Sequence, residues 1–142
     1  MILFNSYIPE YLWLSNFSPH PVMDFPTAEH AYQAMKSTDE SEWAKMKQCK
    51  SPAQAKKYSY SLQHRRPNWE SIKIPIMRRI LTVKFRDPDL KQKLLDTGNE
   101  ELVHYAPWGD TYWGVDKNYE GHNTQGILLM ELREELQCSN QL

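Results

Sequence analysis

Apolar residues along most of this chain recur every three or four positions, the spacing that gathers them on one side of a helix. The longest such segment follows Asn68, a capping residue type. It carries Trp69, Ile72, Ile76, Met77, Ile80 and Leu81 on one face and runs to Phe85. Pro75 lies inside it and predicts a kink or a delayed regular start. Thr27, just after Pro26, predicts an N-cap for a helix over 28–36. A second helix is expected over 39–49, with Trp43 and Met46 at i, i+3 spacing. Ser51-Pro52-Ala53-Gln54 has the form of a capping box with proline at the first helical position. Asp87-Pro88 opens a further helix that stops at Gly98, and Asn123 caps a last one through about Gln137. Residues 2–8 and 11–14 are short, apolar and aromatic and read as strands or extended segments, as do 101–105 and 111–115. The stretch 16–24, with Pro19 and Pro21, reads as loop. The expected architecture is mainly α with a small β component, an α+β chain.

Composition narrows the class. The 142 residues suit one domain, 1–142, with the last few residues a tail, and a chain of this length can bury roughly 70% of its unfolded surface. Hydrophobic residues at 40% and charged residues at 25% are those of a globular protein and exclude a disordered or collagen-like chain. A net charge of −1 argues against a protein that coats nucleic acid or an anionic membrane by charge alone. Cys49 and Cys138 belong to no CxxC or Cys/His cluster, so neither a disulfide framework nor a zinc site is indicated. The N-terminus has no leader pattern, and the longest strongly apolar run is Ile127 to Met130. The expectation is a cytoplasmic protein without a membrane span; the pattern specifies no oligomeric state.

Three constellations carry possible chemistry. Glu29, Gln33 and Lys36 recur at offsets of four and three. At about 100° per residue Glu29 and Lys36 share a helix face within about 20°, roughly 10 Å apart along the axis. A carboxylate, an amide and an amine on one face suffice to grip a ligand of sugar or nucleotide size, although a solvated face often holds such a trio. His30 is one residue off that face and reads as a core or capping histidine rather than as a ligand or base. In Trp108-Gly109-Asp110-Thr111-Tyr112-Trp113-Gly114, aromatic rings flank a carboxylate, an arrangement for stacking on a base or for a compact turn. Gly121-His122-Asn123-Thr124-Gln125-Gly126 leads into a helix N-terminus, a place for an anion, but matches neither the P-loop nor the dinucleotide fingerprint. The basic pairs Lys56-Lys57, Arg65-Arg66 and Arg78-Arg79 suit phosphates or plain solvent, and Glu131, Arg133, Glu134 and Glu135 read as a solvated face. No nucleophile elbow, HExxH or metal-ligand spacing occurs.

Taken in order, the motifs resemble the NADAR (YbiA-like) family over nearly the whole chain. The series begins with Trp13-Leu14-Ser15-Asn16-Phe17-Ser18-Pro19 and continues with Glu29-His30-x-x-Gln33-x-x-Lys36. Ser51-Pro52 with Ala55-Lys56 follows, then Trp69, Lys73, Met77, Lys84-Phe85, Leu94-Leu95 and Thr97-Gly98. Asp110-x-Tyr112-Trp113-Gly114 and Gly121-x-Asn123-x-x-Gly126-x-x-Leu129-Met130-x-x-Arg133 complete it. Three positions depart from the pattern. His104 stands where a glutamate is expected, with Tyr105 and Ala106 beside it; Ser59 stands for a glycine, and another glycine is replaced around Tyr119.

The resemblance implies a single-domain YbiA-like helical fold and an N-glycosidase that cuts a ribose C1–N bond without metal or cofactor. It implies as substrates ADP-ribose attached to guanine bases or nucleotides, including ADP-ribosylated nucleic acid, or else ribosylaminopyrimidine phosphates of riboflavin synthesis. By this analogy Lys36 attacks C1 and forms a transient imine. Only the neutral amine is a nucleophile, so its ordinary pKa of about 10.4 must fall. Glu29 would favour the ammonium and is therefore expected to shuttle a proton or anchor a ribose hydroxyl. Asp110 would orient the sugar or polarise the departing base, Trp113 would stack on a ring, and Ser15, Asn16 and Asn123 would hold hydroxyls or phosphates. Phe17, His30, Gln33, Trp108 and Gly114 complete the expected substrate-binding set. Two other classes stay open: a module that binds ADP-ribose or NAD without cleaving it, and a single-strand nucleic-acid binder using Trp108, Tyr112 and Trp113.

Overall fold

A computed structural model describes residues 1–140. The fold is mainly helical with one small parallel sheet. Its elements are β1 (Ile2–Phe4), a 3-10 helix (Pro9–Leu14), α1 (Ala28–Ala34), α2 (Glu40–Gln48), α3 (Pro52–Ser59), α4 (Trp69–Lys84), α5 (Pro88–Asp96), β2 (Leu102–His104) and α6 (Thr124–Asn140). Contacts divide the chain into two compact units, one made of Met1–Ser15 with the chain from Phe85 onward, the other of Asn16–Lys84. The tail expected at the C-terminus falls on residues 141–142, outside the described ones, since α6 continues to Asn140.

In the Asn16–Lys84 unit, α1 packs against α2, α3 and α4. All seven residues of α1 are buried, with Ala28, Ala31 and Ala34 at steps of three giving its neighbours close approach. Its start is set by Thr27, whose Oγ1 accepts the His30 amide. Asp39 caps α2 through the Ser41 amide. Ser51 caps α3 through the Gln54 amide, while the Gln54 side chain accepts from the Lys50 amide instead of closing back on Ser51. Helix α4 starts at Trp69 without delay. Pro75 sits on its exposed side, where water can satisfy the carbonyl that the missing N–H leaves open. Met46, Ala55, Met77, Ile80 and Leu81 fill the core, each larger side chain contributing about 1.5–3 kcal/mol by leaving water. Met23 and Asp24, both at positive φ, form the tight turn between Val22 and Phe25.

In the other unit β1 and β2 pair in parallel, Leu3 opposite Val103, and α6 packs on β2 and on α5. The segment 11–14, read as extended, is helical: Pro9 at the first position suits a helix start. Of 101–105 only Leu102–His104 is strand, and 111–115 contributes a single bridge, Tyr105 to Val115. Asp87 caps α5 through the amides of Asp89 and Leu90, and Gly98 leaves it with φ 63°. Gly126 admits α6 to the sheet, because a Cβ there would lie 2.2 Å from the Leu102 carbonyl oxygen. Arg133 is buried and donates to Thr97 Oγ1, so the face read as solvated is partly core.

Candidate active site

Helix α1 is two residues shorter than its sequence suggests. Lys36 follows it in a tightened turn, its amide donating to the Gln33 carbonyl. Segment 64–66 then clamps the chain after the helix. The Arg66 amide donates to the Lys36 carbonyl and the Thr38 amide to that of His64, and the Arg66 guanidinium donates to the Met35 carbonyl at 2.6 Å. Buried Glu42 of α2 secures the same junction, accepting from Ser37 Oγ and from the amides of Gln63 and His64. Burial pushes the Glu42 carboxyl up, but these hydrogen bonds outweigh burial and hold it below the usual carboxylate range.

Within this frame the Lys36 amine is half-buried, 5.4 Å from the centre of the Tyr32 ring and 5.9 Å from that of Trp69. Its pKa lies below the ordinary lysine value. Desolvation is the largest cause; Glu29 opposes it, Arg65 and Lys56 push further down, and Glu70 pushes up. Glu29 is 7% exposed and accepts from Gln33 Nε2 at 2.8 Å. Gln33 Oε1 is thereby left as a buried acceptor with no partner among the described residues. Helix α1 therefore holds a carboxylate fixed by an amide, and the turn that follows it carries an amine whose pKa is lowered.

His30 belongs to the frame. Its Nε2 lies 2.9 Å from the Cys49 carbonyl and so carries the proton, and its Nδ1 meets Thr27 Oγ1 at 2.8 Å. Nε2 thus ties α1 to the end of α2, and Nδ1 ties the ring to the N-cap of its own helix. Asn16 lends its carbonyl to the Glu29 amide and its Nδ2 to Met77 Sδ at 3.6 Å, with Phe17 next to it half-buried.

The remaining sequence candidates lie in the other unit. Ser15 is buried and closes the 3-10 helix through the Leu12 carbonyl. Asp110 Oδ1 accepts the amides of Tyr112 and Trp113, an Asx turn that sets the Trp113 ring edge-on to Tyr112 at 5.0 Å. Trp108 is 53% exposed and meets Tyr7 and His104 edge-on. His104, where a glutamate was expected, stacks on Phe4 at 5.3 Å. Gly114 lies against the His104 carbonyl, where a Cβ would come within 2.4 Å. Asn123 does not cap α6 with its side chain. At φ 52° it turns its amide to β2, accepting from the His104 amide and donating to the Leu102 carbonyl. Tyr119, at the other replaced glycine, holds φ 60° and stacks on Tyr105.

The sequence assigned no site role to Tyr32, Trp69 or Glu42, and it named Lys84 only as one position of the family pattern, without its burial at the end of α4. The Trp69 position was visible as core periodicity and as one position of the family pattern, not as a neighbour of Lys36. Arg65 and Lys56 were visible as charges but not as neighbours of Lys36. Among the described residues no group of three or more His, Cys, Asp or Glu is placed to hold a metal ion, and no helix is long and apolar enough to cross a membrane.

The fold is mainly helical, with a buried carboxylate on α1 and a half-buried amine in the turn after it, and comparisons with known proteins give the family. The NADAR domain model matches residues 3–137. The chain is 37% identical to the N-glycosidase YbiA of Escherichia coli K12, covering 96% of this chain and 88% of that protein. It is 36% identical to an N-glycosidase of Nostoc punctiforme, covering 89% and 86%. A riboflavin biosynthesis protein of Vibrio vulnificus is 35% identical over 88% of this chain and 35% of its own length. The NMR structure of the E. coli protein YbiA superposes with a TM-score of 0.86, covering 98% of this chain and 86% of that one. The chain belongs to the NADAR family.

Proposed function

We propose that this protein is an N-glycosidase that hydrolyses a ribose C1–N bond through Lys36. The observation that carries the reading is the Lys36 amine, half-buried against two aromatic rings with a lowered pKa, beside a carboxylate fixed by Gln33. The neutral amine attacks C1; the C1–Nζ bond forms as the bond to the base breaks, and the departing nitrogen takes a proton. Opening of the ribose ring gives an imine, water adds at C1, and release of the sugar restores the amine. Glu29 relays the protons or holds a ribose hydroxyl, and its engagement by Gln33 keeps it from being a dedicated partner of the lysine. Gln33 Oε1 is suited to receive a hydroxyl donor. The resemblance assigns the sugar or departing base to Asp110, ring stacking to Trp113, and further substrate contacts to Ser15, Asn16, Phe17, Trp108, Gly114 and Asn123.

The favoured substrate is ADP-ribose linked to a guanine base or nucleotide, alone or in nucleic acid, because His104 and its neighbours depart from the family pattern beside the aromatic group assigned to the base. A second reading, a ribosylaminopyrimidine phosphate, is favoured by the relative named for riboflavin biosynthesis. Incubation with ADP-ribosylated guanosine and with a ribosylaminopyrimidine phosphate, followed by chromatography, separates them. Release of ADP-ribose from the first but no base from the second is expected. The reverse pattern assigns the second substrate, and tight binding with both ligands intact removes the catalytic reading.

A further inference from the structure

Lys84 ends α4 with only 3% of its surface exposed, and its Nζ donates to Ser18 Oγ at 2.9 Å, itself on a residue 1% exposed. Burying an amine costs stability unless its geometry is used, and methionine would fill the same space without that cost. The position therefore calls for a reason other than packing. Ser18 supplies one. It lies two residues after Asn16, and its Oγ also meets His20 Nδ1 at 3.0 Å while its carbonyl accepts the His20 amide. From the same segment the Asn16 carbonyl receives the Glu29 amide at 3.0 Å, and Asn16 Nδ2 reaches the Sδ of Met77, two turns before Lys84 on the same face of α4. A short path of hydrogen bonds and covalent backbone thus leads from Nζ of Lys84 to the backbone of Glu29.

We infer that Lys84 is a positioning residue: by holding Ser18 it fixes the Asn16–Ser18 segment against the first turn of α1, and so sets where the Glu29 carboxylate stands. The inference rests on the assignment of Lys36 and Glu29 to the reaction. In this role Lys84 acts through the Ser18 hydroxyl and the chain that joins Ser18 to Asn16. A purely structural role and a positioning role differ in a measurable way. The first requires that loss of the amine weakens the fold, whereas the second requires that activity falls while the fold holds or strengthens.

The test compares wild type, Lys84→Met, Ser18→Ala and the double variant by melting temperature, by kcat and KM for ADP-ribosylated guanosine, and by borohydride capture of sugar on Lys36. Lys84→Met is expected to melt at or above the wild-type temperature while kcat falls about ten- to a hundredfold, the loss produced by a misplaced catalytic group. KM should move much less. Ser18→Ala should reproduce the fall, and the double variant should be no slower than Lys84→Met, because both remove one link. Full wild-type kcat in Lys84→Met overturns the inference, as does a lowered melting temperature with unchanged kcat of the folded fraction, or multiplicative losses in the double variant. If Lys84→Met fails to fold, unchanged kcat in Ser18→Ala overturns it alone. Capture on wild-type Lys36 with no effect of either variant defeats only this inference; no capture and no hydrolysis by wild type defeats the lysine assignment and this inference with it.

Discussion

The chemistry of the site turns on how four charges and one desolvation act on a single amine. Burial lowers the Lys36 pKa, Arg65 and Lys56 lower it further, and Glu29 and Glu70 raise it. Each contribution has a sign that mutation can read. The rate at which a small acylating reagent modifies Lys36, followed by mass spectrometry across pH, should rise with a midpoint below 10.5. Arg65→Gln should move that midpoint up and Glu29→Gln should move it down; shifts in the opposite directions contradict the electrostatic account. The trio itself was legible, because Glu29, Gln33 and Lys36 fall at helical offsets. The surroundings that give the amine its character were not, since Trp69 comes from α4 and Arg65 from the clamp segment, both far away in sequence. Lys84 was legible as a position of the family pattern, but its burial was not, since a lysine near a helix C-terminus ordinarily reads as solvated and only tertiary packing buries it.

Elements were legible where a side chain announces them. Thr27, Asp39 and Asp87 each cap the helix that follows, and Pro52 and Pro88 sit at first positions where a missing N–H is harmless. The 3-10 helix at Pro9–Leu14 was missed because the apolar stretch 11–14 is too short to have a decisive period. Asn123 shows the other limit. Its place before α6 reads as a cap, but its side chain serves β2, a partner only the fold brings near. Replacing it tests this directly. Asn123→Ala should cost about 2–4 kcal/mol, because it strands the Leu102 carbonyl and the His104 amide and puts alanine at positive φ. Asn123→Gly loses the same hydrogen bonds but accepts φ 52°, so it should be milder by about 1 kcal/mol. Urea unfolding of the three proteins checks the order wild type, glycine, alanine. An alanine variant as stable as wild type would show that the side chain does not hold β2.

For the molecule as a whole, the buried Lys84 amine makes fold stability depend on pH. Burial depresses the Lys84 pKa to about 7, whereas in the unfolded chain it returns to about 10.5. Between those values the unfolded state binds a proton that the folded state does not, so stability rises with pH through that window. Below pH 7 both states are protonated and the full penalty for burying the charge remains. Lys84→Met should therefore be more stable than wild type chiefly at and below pH 7, and the advantage should shrink as pH approaches 10.5; an advantage independent of pH would contradict the assignment. The family membership that unites these features was legible as an ordered set of motifs along 3–137, whereas substrate choice was not, because His104 and Tyr119 alter positions whose effect depends on the ligand. The most direct measurement of the central claim is to incubate the protein with ADP-ribosylated guanosine in the presence of borohydride and map the modified peptide. The account predicts a reduced sugar bonded to Lys36 and no hydrolysis by Lys36→Ala; full hydrolysis by that variant would contradict it.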